Sequence, residues 1–84
     1  MAVKDPARRE LIASKLRSFR AARKLNRADV AAAAGLKDSS TVSRHENGDT
    51  CMDYETAWDL ADLYGVSLDE LGGREWPPPA GDAV

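Results

Sequence analysis

Apolar residues recur every three or four positions along most of this 84-residue chain, with polar residues between them. Near the start of the chain, Leu11 or Ile12, Leu16 and Phe19 follow this spacing. A period near 3.6 residues is typical of an amphipathic α-helix, and no segment has the alternating pattern of a strand. The pattern therefore predicts an all-α protein.

Residues that begin and end helices divide this pattern into five segments. Asp5 followed by Pro6 marks the first start, because an acceptor side chain caps a helix and proline fits its first position. Glycines such as Gly35 mark the ends, since glycine adopts the left-handed backbone conformation without strain. The predicted helices cover residues 6–24, 27–34, 39–46, 54–64 and 68–71.

Two further starts have the pattern of a capping box, in which two side chains each accept a backbone hydrogen bond from the other's residue. Asn26 with Asp29 resembles such a box with a shorter acid, and Ser67 with Glu70 is a full one. The third helix has several competent caps, so its start stays open. The candidates are Asp38, Ser39 and Ser40.

The fourth predicted helix is rich in aromatic residues. Its predicted buried stripe is Tyr54, Ala57, Trp58 and Ala61, with Leu60 and Tyr64 as further candidates. The alternative is that the aromatic residues line a partner surface, but at helical spacing such residues are more often core. We therefore expect them to be buried.

The length and composition of the chain indicate one domain, because 84 residues support a single hydrophobic core. We assign residues 1–71 to this domain and residues 72–84, rich in proline and glycine, to a flexible tail. The chain has no apolar run long enough for a bilayer, no signal-peptide core at its N-terminus, and one cysteine, Cys51. We therefore expect a cytoplasmic protein with no membrane partner.

Charge is distributed unevenly along the chain, although the net charge is only −2. Residues 1–50 carry 11 Lys and Arg against 6 Asp and Glu, whereas residues 51–84 carry 1 against 8. Such a division permits a basic face on an acidic protein, and the local field rather than the net charge attracts a polyanion. Solvated surface charge is the alternative interpretation.

Two short helices joined by Gly35-Leu36-Lys37 are the most informative feature of the sequence. Such a pair is typical of the helix-turn-helix unit, whose second helix enters the DNA major groove. Four segments in and around this unit occur in a characteristic order: Leu16-Arg17-Ser18-Phe19-Arg20, Leu25-Asn26-Arg27-Ala28-Asp29-Val30-Ala31, Val42-Ser43-Arg44-His45-Glu46-Asn47-Gly48 and Leu60-Ala61-Asp62-Leu63-Tyr64-Gly65-Val66-Ser67-Leu68-Asp69-Glu70-Leu71. With these segments, residues 16–71 resemble the phage-repressor-type helix-turn-helix domains, the Cro/lambda-repressor-like or XRE-type family.

The resemblance implies a compact five-helix, lambda-repressor-like bundle that binds double-stranded DNA. Its third helix is then the recognition helix, and Ser39, Ser40 and Arg44 match the positions that contact base edges. The chemistry agrees, because serine hydrogen-bonds several bases and arginine makes a bidentate contact to guanine.

Two other residues match positions near DNA phosphates, and a lysine in the turn is a third candidate phosphate contact. Arg27 begins the second helix, where the family usually has a phosphate-binding glutamine. Asn47 matches a residue whose backbone approaches phosphate. Lys37 in the turn adds a charge, with a solvated lysine as the equal alternative.

Arg20 and Glu46 match an arginine late in the first helix and an acid at the end of the third. The resemblance implies that they form a partly buried ion pair, with the guanidinium engaging the carboxylate. Such a pair explains an acid near a helix C-terminus, where the helix dipole disfavours it.

The sequence departs from the family pattern in three respects. The turn before the third helix is one residue longer than usual. Asp49, Cys51 and Asp53 occupy a segment in which relatives often have basic phosphate contacts. His45 replaces an apolar residue, and we expect it to be partly buried at the edge of the core.

Together these features predict a transcriptional regulator, a repressor, that acts as a homodimer on a pseudo-palindromic DNA site. Leu71 and Trp76 offer apolar area for the dimer surface. An enzyme is disfavoured, because one histidine and one cysteine complete neither a metal nor a nucleophile site, and we expect no cofactor. The competing hypothesis is an antitoxin-like or adaptor module that uses the same fold to bind a protein such as a toxin.

Overall fold

Five helices in chain order make up the structure, a computed structural model that describes residues 5–77. They are α1 (Pro6–Ala22), α2 (Arg27–Ala33), α3 (Ser39–Asn47), α4 (Tyr54–Tyr64) and α5 (Leu68–Leu71). The described residues contain no strand, and none of their helices is both long and apolar enough to cross a membrane. The predicted all-α architecture of five helices is confirmed.

Side chains cap the helix N-termini where local sequence favours it. The predicted capping box of α2 is present, with the Asn26 side chain accepting from the Asp29 backbone at 2.8 Å. For α3 the structure selects Asp38, whose Oδ1 accepts from the backbone N–H groups of Ser40 and Thr41. These contacts satisfy donors that a helix leaves free at its first turn.

The first helix ends two residues before its predicted end at residue 24. Arg23 and Lys24 form a turn in which Lys24 has a φ of 56°, and the Leu25 N–H returns to the Arg20 carbonyl at 3.3 Å. The chain has to reverse here because α2 packs back toward the same core. The reversal, rather than helix propensity, sets the end of α1.

The hydrophobic core lies where the helices meet. Leu16 of α1, Val42 of α3 and Leu60 of α4 are all at most 3% exposed. Ile12 packs against this core, whereas Leu11 is 42% exposed, so Ile12 is the inward residue of the two predicted alternatives. The other core members are Val30, Ala31, Ala34, Ala61, Tyr64 and Leu71.

The predicted buried stripe of α4 is wrong at two aromatic positions. Tyr54 is 69% exposed and Trp58 57% exposed, whereas Leu60, Ala61 and Tyr64 are buried. Both sets repeat every three to four residues, so spacing alone does not distinguish them. Packing of α4 against α2 and α5 turns the face with Leu60 and Tyr64 inward.

The proposed dimer surface also needs correction. Leu71 is only 1% exposed because α5 inserts it into the core, so it offers no area to a second subunit. Trp76 remains 62% exposed, with the Arg74 guanidinium 4.5 Å from its ring centre.

The chain after α5 returns to the body of the domain for several residues. Gly73 has a φ of 71°, and a Cβ there would come within 2.9 Å of Leu11 Cγ. Only glycine meets both demands, the left-handed conformation and the close approach to α1. Arg74 donates its N–H to the Asp69 carbonyl at 2.8 Å. Residues 78–84 of the predicted tail lie outside the described residues.

Loss of an aromatic side chain should reduce stability much more on the buried face of α4 than on its exposed face. Tyr64→Ala should lower the free energy of unfolding by about 3–5 kcal/mol, because it removes a buried ring from the core. Trp58→Ala should cost about 1 kcal/mol or less, because its ring is mostly in solvent. Urea denaturation followed by circular dichroism measures both, and equal losses in the two variants would contradict the assignment of the faces.

Candidate nucleic-acid interface

The third helix has a buried face and an exposed face. Val42, His45 and Glu46 are buried, and they anchor α3 against α1 and α2. Ser40 and Arg44 are exposed and lie one helical turn apart on the opposite side. The fold therefore presents one polar stripe of α3 to solvent.

The exposed stripe contains most of the predicted DNA-contacting residues of α3. Ser40, Arg44 and Asn47 are spaced by four and three residues and are all exposed. Ser39 is also exposed, but its position in the first turn places it at the flank of the stripe. Ser43, which sequence reasoning passed over, lies three residues after Ser40 and is half-exposed. Helical spacing from Ser40 was the signal that would have found it.

The hydroxyl group of Ser40 is already engaged. Its Oγ donates to Asp38 Oδ1 at 2.5 Å. This hydrogen bond, together with the backbone N–H of Thr41, lowers the pKa of Asp38. Because the hydroxyl proton is used, Ser40 faces solvent mainly as an acceptor, which suits a base amino group.

The turn before α3 places a second basic residue beside the stripe. It runs from residue 34 to residue 38, with Gly35 at a φ of 68° as predicted and Leu36 packed against the core. Lys37 is exposed, and among the described residues it makes no ion pair. Its ammonium group is therefore free to meet an anion.

A buried carboxylate links α3 to α1. Glu46 is 1% exposed, and Arg20 Nε donates to its Oε2 at 2.6 Å. Arg20 also donates through Nη1 to the Leu25 carbonyl at 3.0 Å, so it joins α1, α3 and the start of α2. The hydrogen bond to Glu46 raises the pKa of Arg20 above its ordinary value.

A second arginine lies against the same carboxylate. Arg27 Nε is 3.3 Å from Glu46 Oε1, and the Arg27 side chain stays 42% exposed. Neither atom has a hydrogen-bond partner among the described residues, so the contact is an ion pair without a hydrogen bond. The residue predicted to bind phosphate thus also faces a buried acid, which sequence reasoning did not anticipate.

Two more arginines of α1 bind the C-terminal end of α3. Arg17 donates through Nη1 to the Glu46 carbonyl, and through Nη2 to Glu10 Oε2 at 2.9 Å. Arg9 donates to the Gly48 carbonyl at 3.3 Å. Guanidinium groups at this end donate hydrogen bonds to free carbonyls, and their positive charge interacts favourably with the negative end of the helix dipole. No local sequence signal marks these two contacts, because the partners are 29 and 39 residues apart.

His45 lies on the buried face of α3 and is only 8% exposed, so it is more deeply buried than the expected position at the edge of the core. Burial lowers the pKa of its imidazole, and Arg44 lowers it further, whereas Asp53 and Glu46 oppose the shift. Burial also raises the pKa of the neighbouring core residue Tyr64 to about 12. Both rings are therefore neutral near pH 7.

Asp53, one of the acids that depart from the family pattern, has a structural role. Its side chain accepts from the Thr56 backbone at 2.8 Å and caps α4. This contact lowers the pKa of Asp53. The carboxylate of Asp53 therefore stabilises the start of α4.

A family model described as helix-turn-helix matches residues 16–71 of the chain. The chain therefore belongs to the helix-turn-helix family of the XRE and lambda-repressor type, whose members are DNA-binding regulators. No curated protein and no solved structure matches the chain significantly.

Loss of the buried carboxylate should destabilise the fold strongly. Glu46→Ala leaves Arg20 without its partner and should lower the free energy of unfolding by about 3–5 kcal/mol. Glu10→Ala is the matched control, since it breaks an exposed pair with Arg17 and should cost about 0–1 kcal/mol. Urea denaturation of the two variants is the measurement. Similar small losses in both would mean that the buried pair contributes nothing to stability.

Stability should depend on pH through His45, the only histidine of the chain. Its folded-state pKa lies below the ordinary 6.5, so above that value the imidazole is neutral in both states. As the pH falls below 6.5, the unfolded chain takes up a proton that the folded protein resists, and stability declines until the folded-state pKa is passed. Unfolding titrations from pH 8 to about 5.5, where model carboxyls remain ionised, measure this loss.

The matched variant for this titration is His45→Leu. It should show almost no change of stability over the same pH range, because no other side chain of the chain ordinarily titrates there. An equal decline in the variant, or a wild-type protein that becomes more stable on acidification, would contradict the assignment to His45.

Proposed function

We propose that the protein binds double-stranded DNA sequence-specifically, with α3 in the major groove, and acts as a transcriptional repressor. The observation that carries this proposal is the exposed polar stripe of α3, whose opposite face is anchored through Glu46. A recognition helix has to keep its side chains in register with base edges, and a helix anchored at its buried face does so. The proposed site of action is the nucleoid in the cytoplasm, and the activity involves no catalysis or cofactor.

Two side chains of the stripe, Ser40 and Arg44, and one at its flank, Ser39, are the proposed base-contacting groups. Arg44 matches the bidentate acceptor pair of guanine, O6 and N7. Ser40 is oriented as an acceptor by its bond to Asp38, which suits the amino groups of adenine or cytosine. Ser39 contacts a base from the flank of the stripe, where the helix enters the groove.

Phosphate contacts are proposed for the two ends of the helix-turn-helix unit and for the turn between its helices. Arg27 lies at the N-terminus of α2, and its half-exposed guanidinium has N–H groups beyond the one that faces Glu46. Lys37 in the turn adds a charge that has no ion-pair partner among residues 5–77, and Asn47 at the end of α3 brings its backbone to the next phosphate. These contacts fix orientation on the duplex without reading sequence.

Two subunits are proposed to act together on a pseudo-palindrome. One recognition helix reads few base pairs, and one small domain neutralises few phosphates, so useful specificity calls for two half-sites. A two-fold dimer places their centres about 10–10.5 bp apart, one helical turn along the same face of the duplex.

Selection of bound duplexes from a random pool tests this function directly. The expected result is enrichment of a two-fold symmetric site with that spacing, bound by two protein chains. Failure to enrich any sequence, at a salt concentration low enough for phosphate contacts to form, would contradict the proposal. Enrichment of a single half-site with one bound chain would retain DNA binding and remove the dimer.

The proposed roles of Arg44 and Arg27 predict different losses of affinity. Arg44→Ala should weaken binding to the selected site by about 1–3 kcal/mol and change non-specific binding little. Arg27→Ala should weaken binding to all duplexes alike and reduce the salt slope by about one. Fluorescence anisotropy titrations at several salt concentrations measure both. If each substitution lowered specific and non-specific affinity equally, the assignment of base and phosphate roles would be wrong.

Because Arg27 also faces Glu46, its variant needs a control for folding. The titrations are run well below the melting temperature of each variant. Arg27→Lys keeps the charge and should retain most of the salt slope, whatever its effect on stability.

A further inference from the structure

The fourth helix exposes two large aromatic side chains that the core does not use. Tyr54 and Trp58 lie one turn apart on α4, with ring centres 6.4 Å apart in an edge-to-face arrangement. Tryptophan and tyrosine are the residue types most enriched at the energetic centres of protein interfaces. Their exposure on a helix whose other face is fully packed indicates a surface with a second role.

Acidic side chains lie beside this aromatic pair on the exposed face of α4. Glu55, Asp59 and Asp62 are exposed on the same helix, and among residues 5–77 none of them has an ion-pair partner. Residues 51–73 contain six acids and no lysine or arginine. The other acids there are not all available, since Asp53 and Glu70 cap helices. We call Tyr54, Glu55, Trp58, Asp59 and Asp62 the α4 surface.

We propose that the α4 surface binds an arginine-bearing segment of a second protein. A guanidinium group stacks on the face of a tryptophan or tyrosine ring and pairs with carboxylates beside it. The α4 surface offers both partners within one helical turn of each other. Beside it, a groove that joins Trp58 to α5 through Ala61, Val66 and Leu68 accommodates apolar side chains of the same segment.

The charge of the α4 surface disfavours two other occupants, DNA and a second copy of this chain. DNA is disfavoured, because three exposed carboxylates repel phosphates. A second copy of this chain in a two-fold dimer is disfavoured too, since such a dimer places the same patch against itself. Glu55, Asp59 and Asp62 would then face like charges around the aromatic pair. A cationic partner is the occupant whose charge complements the surface.

The proposal is independent of DNA binding, so it is tested without DNA. The probe is a short synthetic peptide of alternating arginine and leucine, added to the full-length, ¹⁵N-labelled protein. A matched peptide of alternating glutamate and leucine is the comparison. The two tryptophan indole N–H signals distinguish the α4 surface, which contains Trp58, from the region near Trp76. The arginine peptide should shift the Trp58 indole signal and the α4 amides, and the glutamate peptide should not.

Substitutions on and off the surface complete the test. Trp58→Ala and Asp59→Lys should each weaken binding of the arginine peptide by about tenfold or more. Glu10→Lys is the matched charge reversal on α1 and should leave that affinity nearly unchanged. Trp58→Ala should also bind DNA as the unmodified protein does, so that failure of one proposal leaves the other standing.

Several results would overturn the inference. They are no binding of the arginine peptide, equal binding of the glutamate peptide, shifts confined to α1 or to Trp76, and undiminished binding by Trp58→Ala. Shifts of the Trp58 signal with protein concentration alone would assign the surface to a second copy of the chain. Loss of DNA affinity in a folded Trp58→Ala protein would assign it to DNA.

Discussion

The ion pairing of the buried Glu46 carboxylate is the interaction on which the arrangement of α1, α2 and α3 depends. A charge at 1% exposure is costly unless it is paired, and Arg20 meets it at 2.6 Å while Arg27 lies at 3.3 Å. The main-chain carbonyl of the same residue accepts from Arg17. Residues of α1, α2 and α3 thus converge on one position, and the orientation of α3 follows from satisfying it.

Because of this convergence, part of the positive charge in residues 1–50 has a structural role. An excess of arginine and lysine in residues 1–50 suggests a surface for a polyanion, yet Arg9, Arg17 and Arg20 bind the end of α3 instead. Other basic side chains remain exposed without an ion pair among residues 5–77, including Lys15, Lys24, Lys37 and Arg44. In the proposed function, Arg9, Arg17 and Arg20 therefore contribute by holding α3 in place rather than by contacting phosphates.

The acidic half of the chain is consistent with a division of labour between two surfaces. The stripe of α3 is polar, and the Asp38 carboxylate beside it is engaged by Ser40 and the first turn of the helix. The α4 surface instead combines exposed aromatic rings with carboxylates that have no ion-pair partner among residues 5–77. Because the acidic α4 surface repels phosphates, DNA bound at α3 as proposed would leave this surface accessible. In this arrangement, DNA binding and contact with a cationic protein segment are compatible within one small domain.

The sequence by itself determined those features that depend on neighbours within about one helical turn. The five helices, the capping boxes at Asn26 and Ser67 and the turn at Gly35 were all predictable, because caps and turns act over three or four residues. The exposed positions of Ser40 and Arg44 were predictable from helical spacing and family resemblance together. Only the tertiary structure decided which face of α4 is buried, where α1 ends, and that Arg9, Arg17 and Arg27 surround the end of α3. Those outcomes depend on partners far apart in the chain, and a periodic pattern carries no information about which distant side chain fills the space opposite.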